Sequence, residues 1–192
     1  MKKITRQAIL AFTALFMTGG LHAAPILIDF QGQSAGNLAS YTESGVTFTG
    51  EAPSTSLRVA NLSGRIGILG EGSPFQPVRA VHATDLFSLV TVELGDASTD
   101  TDNLFLRGYD AVGNLLAEST DFLSGTGYRT LSISGMFSYV LAGSTSSINN
   151  SSVILDNFWF ETKAAIPEPS TVLMFGFGIL LLASHRRLFR KK

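Results

Sequence analysis

Residues 152–161 read SVILDNFWFE, and this one run decides between the fold classes open to the chain. A strand period of two places Ile154, Asp156, Phe158 and Phe160 on one face and Leu155, Asn157 and Trp159 on the other. Asp156 then shares a face with three large apolar residues, where a carboxylate is costly unless it is hydrogen-bonded or holds a cation.

The same alternation recurs upstream. Ile26, Ile28 and Phe30 alternate in PILIDFQ, Val46 and Phe48 in GVTFTG, and Leu104 and Leu106 in NLFLRGY. Further strand candidates lie at 57–61, 65–70, 87–94, 114–120, 128–134 and 137–143, all short and divided by Gly, Ser, Asn and Asp. YDAVGN at 109–114 sets Asp110, Gly113 and Asn114 between two strand patterns and predicts a hairpin loop. No window between the chain's ends sustains a 3.6-residue period over three turns. The pattern predicts an all-β domain over 24–163, a jelly-roll-like β-sandwich of about eight strands.

Both ends depart from this pattern. Residues 1–23 begin with Lys2, Lys3 and Arg6, continue through an apolar run from Ala8 to Met17, and close on small residues. This is the form of a secretory signal peptide, with the cut expected after Ala23 because Pro25 would directly follow a cut after Ala24. At the other end, 164–192 reads AAIPEPSTVLMFGFGILLLASHRRLFRKK. The segment 170–185 is nearly free of charge and predicts a transmembrane helix, although its apolar run rises only about 22 Å against a hydrocarbon core of about 30 Å. The basic tail at 186–192 stands where a cytoplasmic end belongs. The two ends agree on one topology, with the domain outside and the tail inside.

Charge is segregated along the chain. The formal net charge of −1 hides a strongly acidic domain: six basic residues (Arg58, Arg65, Arg79, Arg107, Arg129 and Lys163) stand between 24 and 168 against all 15 acidic ones. Such a surface repels phosphate backbones, so nucleic acid is not an expected partner. With no cysteine, the exported fold relies on core burial, and thiol catalysis, c-type haem attachment and cysteine-zinc sites are excluded.

The tail carries a resemblance. Ile166-Pro167-Glu168-Pro169-Ser170, the short Gly-containing apolar segment and Arg186-Arg187 resemble, in order and spacing, the PEP-CTERM sorting signal of exported bacterial proteins. The resemblance implies recognition of Pro167, Glu168 and Pro169 by a membrane-embedded exosortase. It also implies a helix that holds the precursor in the inner membrane, and Arg186 and Arg187 in a stop-transfer tail. The implied destination is the cell surface or the extracellular matrix. The domain, with LIDF near its start, GYDAVGNLLA in the middle and ILDNFWF as last strand, is similar to galactose-binding-like and carbohydrate-module sandwiches. That similarity implies a structural Ca²⁺ between first and last strands, held by Asp29 and Asp156.

Catalytic constellations are sparse. Gly32-Gln33-Ser34-Ala35-Gly36 fits the G-x-S-x-G nucleophile elbow, but an elbow needs a strand before and a helix after, and this stretch is read as a loop in a β protein. His82 is the sole histidine outside the two end segments, and with Asp85 it is read as a loop pair. Glu43, Glu51, Glu71, Glu93 and Glu118 supply carboxylates for a glycosidase or lyase without any sign that two of them face each other. The loop GDASTDTDN at 95–103 offers Asp96, Ser98, Asp100, Asp102 and Asn103 as hard oxygen donors but lacks the Gly and distal Glu of an EF-hand. Trp159, Tyr41, Tyr109, Tyr128 and Tyr139 are candidates for a sugar-stacking platform. The expectation is a non-catalytic, exosortase-sorted surface or matrix protein associated with exopolysaccharide. The alternatives are a secreted polysaccharide-active hydrolase or lyase, and a structural, self-associating matrix protein.

Overall fold

The computed structural model describes residues 24–51, 56–71, 76–96, 100–145 and 153–163. The expected signal peptide at 1–23 and the segment 164–192, with its expected helix, lie outside the described residues. Among the described residues no helix is long and apolar enough to cross a membrane.

Thirteen strands follow one another: β1 (Ile26–Ile28), β2 (Gly36–Leu38), β3 (Tyr41–Glu43), β4 (Val46–Gly50), β5 (Leu57–Leu62), β6 (Arg65–Gly70), β7 (Val78–His82), β8 (Leu86–Asp96), β9 (Thr101–Tyr109), β10 (Leu115–Ser124), β11 (Gly127–Phe137), β12 (Tyr139–Ser144) and β13 (Ile154–Lys163). They form a seven-stranded sheet in the order β11-β8-β13-β6-β5-β2, with β1 also paired to β13, and a six-stranded sheet in the order β10-β9-β12-β7-β4-β3. The ladders between these strands are antiparallel.

The all-β, two-sheet architecture agrees with the sequence, and the strand count exceeds the expected eight. The strands without a counterpart among the ten segments read from the sequence, β2, β3 and β7, are short; GNL and YTE carry too few apolar residues to signal a period, and VRAVH is only five residues long.

Alternation along the strands packs one core between the sheets. Phe30, Phe48, Phe87, Phe137, Phe158 and Phe160 are essentially fully buried. Phe48 of the six-stranded sheet meets Phe158 of the seven-stranded sheet edge-to-face at 5.1 Å, the geometry that ring quadrupoles favour.

The face assignment of Asp156 needs correction. Leu155, Phe158 and Phe160 point into the main core, whereas Ile154 packs with Leu62 and Leu69 in a small cluster on the outer face. Strict alternation fails because the register of β13 against β8 slips between Asp156 and Phe158, with Asn157 at φ 27°. This β-bulge adds one residue and switches the faces on either side of it. Asp156 therefore does not share a face with Phe158 and Phe160.

Register also sorts the connections into two ends of the sandwich. At one end Lys163 lies opposite Leu86, Phe137 opposite Phe87, and Tyr109 opposite both Tyr139 and Leu115. The hairpin loop 110–114 is at this end, as expected from YDAVGN. Asp110 organises it, with Oδ1 accepting N–H bonds from Val112 at 3.0 Å and Asn114 at 2.8 Å. At the other end Asp96 lies opposite Gly127, and Ser124 opposite Thr101.

Candidate functional site

Three polar assemblies stand out, and the first surrounds the bulge. Glu93 of β8 and Asp156 of β13 are direct cross-strand partners, an arrangement that repels when both are ionised. Arg65 of β6 resolves it. Its guanidinium hydrogen-bonds Glu93, sets Nε 2.5 Å from Asp156 Oδ2 as an ion pair, and lies 4.0 Å over the Tyr128 ring. Asn157 donates its backbone N–H to Asp156 Oδ1 and its side-chain amide to Glu93 Oε2, each at 2.7 Å.

The two carboxyls respond in opposite directions. Burial raises Asp156 above the ordinary aspartate value, against the Asn157 N–H and the charge of Arg65. Burial also pushes Glu93 upward, but the hydrogen bonds from Arg65 and Asn157 outweigh it and hold Glu93 below the usual range. A raised acid beside a depressed one is the pattern of an acid–base pair. Here Asp156 has no exposed surface and Arg65 bridges the two carboxylates, so a substrate has no route between them.

The other expected residues are placed as follows. Asp29, just after β1, is exposed, and its Oδ1 accepts the Gln31 N–H at 3.1 Å. First and last strands do pair, Ile28 lying opposite Phe158, while the Asp156 carboxylate is taken up by Arg65 and Asn157. Ser34 lies in the loop between β1 and β2, with a strand rather than a helix after it. His82 Nδ1 accepts the N–H of Asp85 at 3.0 Å and so cannot donate to the Asp85 carboxylate. Its ring packs on Phe87 and Phe160. Glu43 is bonded by Tyr41, whose phenol is pushed up to about 12 by burial and by that bond, and Glu71 accepts from Ser56 at 2.6 Å and Asn37 at 2.7 Å.

The second assembly is at the sandwich end remote from Lys163. Carboxylate oxygens of Asp96, Asp100 and Asp102 all lie within 4.8 Å of one another, and Ser144 Oγ donates to Asp102 Oδ1 at 3.0 Å. These three residues, noticed in sequence as loop donors, form a carboxylate cluster that could hold a hard cation.

The third lies on the outer face of the six-stranded sheet. Leu104 and Leu106 point into the core, so Asn103, Phe105, Arg107 and Tyr109 share the outer face of β9, a strip of about 20 Å. A groove of about 390 Å³ opens there between Asn103, Phe105 and Arg107 of β9, Thr120, Asp121 and Phe122 of β10, and Thr145. Phe122 is 62% exposed, and Arg107 covers Phe105 at 4.3 Å while its Nε bonds Glu118 at 2.6 Å. Further along the strip Tyr109 and Tyr139 stack in parallel with centroids 4.9 Å apart, under the Arg79 guanidinium. Tyr109 and Tyr139 were singled out in sequence. Phe105, Phe122 and Arg107 were not, although the alternation in NLFLRGY already put Phe105 and Arg107 opposite the core.

β13 ends at Lys163, and the candidate sorting sequence follows at once. Residues 165–187 match the PEP-CTERM protein-sorting motif. The PEP-CTERM match spans Pro167, Glu168, Pro169, Arg186 and Arg187, and a motif of this kind implies export, processing by exosortase and membrane-anchored sorting to the cell surface. It covers the sorting segment and leaves the sandwich unassigned. No curated protein matches the chain.

Proposed function

We propose that the sandwich of this exosortase-sorted protein binds exopolysaccharide at the cell surface or in the matrix without transforming it. The groove on the six-stranded sheet carries the reading. Sugars present apolar C–H faces and a rim of hydroxyls, and the groove offers an exposed Phe122 beside Asn103, Arg107, Thr120, Asp121 and Thr145 as hydrogen-bonding partners.

A glycoside hydrolase would need two acids across the bound chain. Asp121 is the one carboxylate among the groove's lining residues, and neighbouring Glu118 is held by Arg107. That arrangement favours retention over hydrolysis.

Affinity electrophoresis of the purified chain through gels containing a panel of polysaccharides, with the host's own exopolysaccharide included, tests the reading. Retardation by at least one polysaccharide is expected, weakened about tenfold by Phe122→Ala. Free migration in every gel would count decisively against binding. Release of reducing ends would establish the enzyme alternative, and concentration-dependent sedimentation without retardation the self-associating one.

A further inference from the structure

Among the described residues, the exposed large hydrophobic side chains are not scattered. Leu86, Val112, Leu115, Leu116 and Met136 lie toward the end of the sandwich where β13 finishes, Ile26 and Leu27 lie opposite Phe160 and Trp159 nearer mid-strand, and Phe122 lies toward the other end. Leu86 is the direct partner of Lys163, and Ile26 pairs with Phe160 three residues before it. Val112 is 83% exposed at the tip of the 110–114 hairpin, and Leu115 and Leu116 follow as β10 begins. The acidic cluster of Asp96, Asp100 and Asp102 sits at the opposite end. Exposed apolar side chains gathered at one end of a domain mark a contact site.

The sequence beyond Lys163 indicates what makes the contact. Residues 164–169 separate β13 from the apolar segment that begins at Ser170. Fully extended, six residues reach about 20 Å, so an anchored precursor holds this end of the sandwich against the bilayer.

We propose that this end docks on the lipid surface, with Val112, Leu115, Leu116 and Leu86 entering the headgroup boundary while the chain is anchored. The inference rests on the anchored-precursor reading of the PEP-CTERM segment. Each apolar side chain gains by leaving water, and the short tether removes most of the cost of bringing it there. Release of the tail by sorting would abolish the tether and with it the docking.

The chain contains no cysteine, so a single introduced thiol reports one position without background. The full chain carrying Val112→Cys, Leu116→Cys or, at the far end, Thr126→Cys is labelled with an environment-sensitive fluorophore. It is then reconstituted in protein-free vesicles of phosphatidylethanolamine and phosphatidylglycerol containing a headgroup-level nitroxide quencher. Quenching several-fold stronger at 112 and 116 than at 126 is expected, and it should fall toward the level at 126 when Leu115→Ser and Leu86→Ser are added to the Val112→Cys chain.

Equal quenching at all three positions in a chain that resists alkaline carbonate extraction overturns the docking and leaves the anchor intact. Extraction of the chain by carbonate overturns the anchor and the docking together. A fluorescence shift that grows with protein density without lipid quenching assigns the surface to a second copy instead, which also overturns the proposal.

Discussion

Asn157 is the residue on which the last strand turns. Its positive φ lets β13 take the extra residue that returns Phe158 and Phe160 to the core, and its amide feeds Glu93. Asn tolerates this conformation better than other side chains that carry a Cβ. Arg65 then neutralises the two acids that the bulge leaves side by side. Removing it in Arg65→Ala should cost about 2 kcal/mol in urea unfolding, less than for a fully buried pair because its side chain keeps 34% of its exposure. An unchanged midpoint would mean that the acids are tolerated unpaired.

The two acids also predict opposite slopes with pH. The contribution of Glu93 is complete above its ordinary value of 4.5 and is lost as pH falls toward its depressed folded value. Ionising Asp156 instead costs stability as pH rises from its ordinary value of 3.8. Below pH 4.5 Glu93→Gln should therefore flatten the rise of stability with pH, and above pH 3.8 Asp156→Asn should steepen it. Stability measured against pH in the two variants checks the sign, and matching slopes would refute the assignment.

At the scale of elements, legibility followed burial. β4 and β9 were readable because one face enters the core and the other meets water, so composition alternates as geometry does. β2 and β3 pair by their backbones over three residues each, and pairing of that kind leaves little trace in side-chain composition. The groove was half legible: alternation gave the outward face of β9, but the approach of β10 and of Thr145 that closes it depends on which strands neighbour one another. The bulge was invisible because it is set by the local choice of Asn157 and its long-range partner Glu93.

Close strand approach gives another test. A Cβ on Gly67 of β6 would meet the Leu155 carbonyl oxygen at 2.6 Å, and backbone cannot yield as a side chain does. Gly67→Ala should part β6 from β13 at a cost of about 2–3 kcal/mol, whereas Gly32→Ala, with nothing within 4 Å, should stay within about 0.5 kcal/mol. Thermal melts of the pair decide the point, and equal melting temperatures would show that the sheet adjusts.

For the whole molecule, the two ends of the sandwich divide its tasks. Apolar residues gather where the chain meets its sorting segment, while the groove lies on a sheet face in the half remote from Lys163. Whether the chain is released or stays anchored is predicted to turn on Pro167, Glu168 and Pro169. The variant Pro167→Ala, Glu168→Ala, Pro169→Ala leaves the apolar segment and basic tail untouched, so export and anchoring should proceed and sorting alone should stop. Fractionation and intact mass in the native host are expected to find the parent chain shortened by its apolar tail at the surface or in the medium. The variant should stay full-length in the inner membrane. If both remain uncut and membrane-bound, the segment acts as a plain anchor, and the groove would then serve a membrane-tethered protein that never leaves the cell envelope.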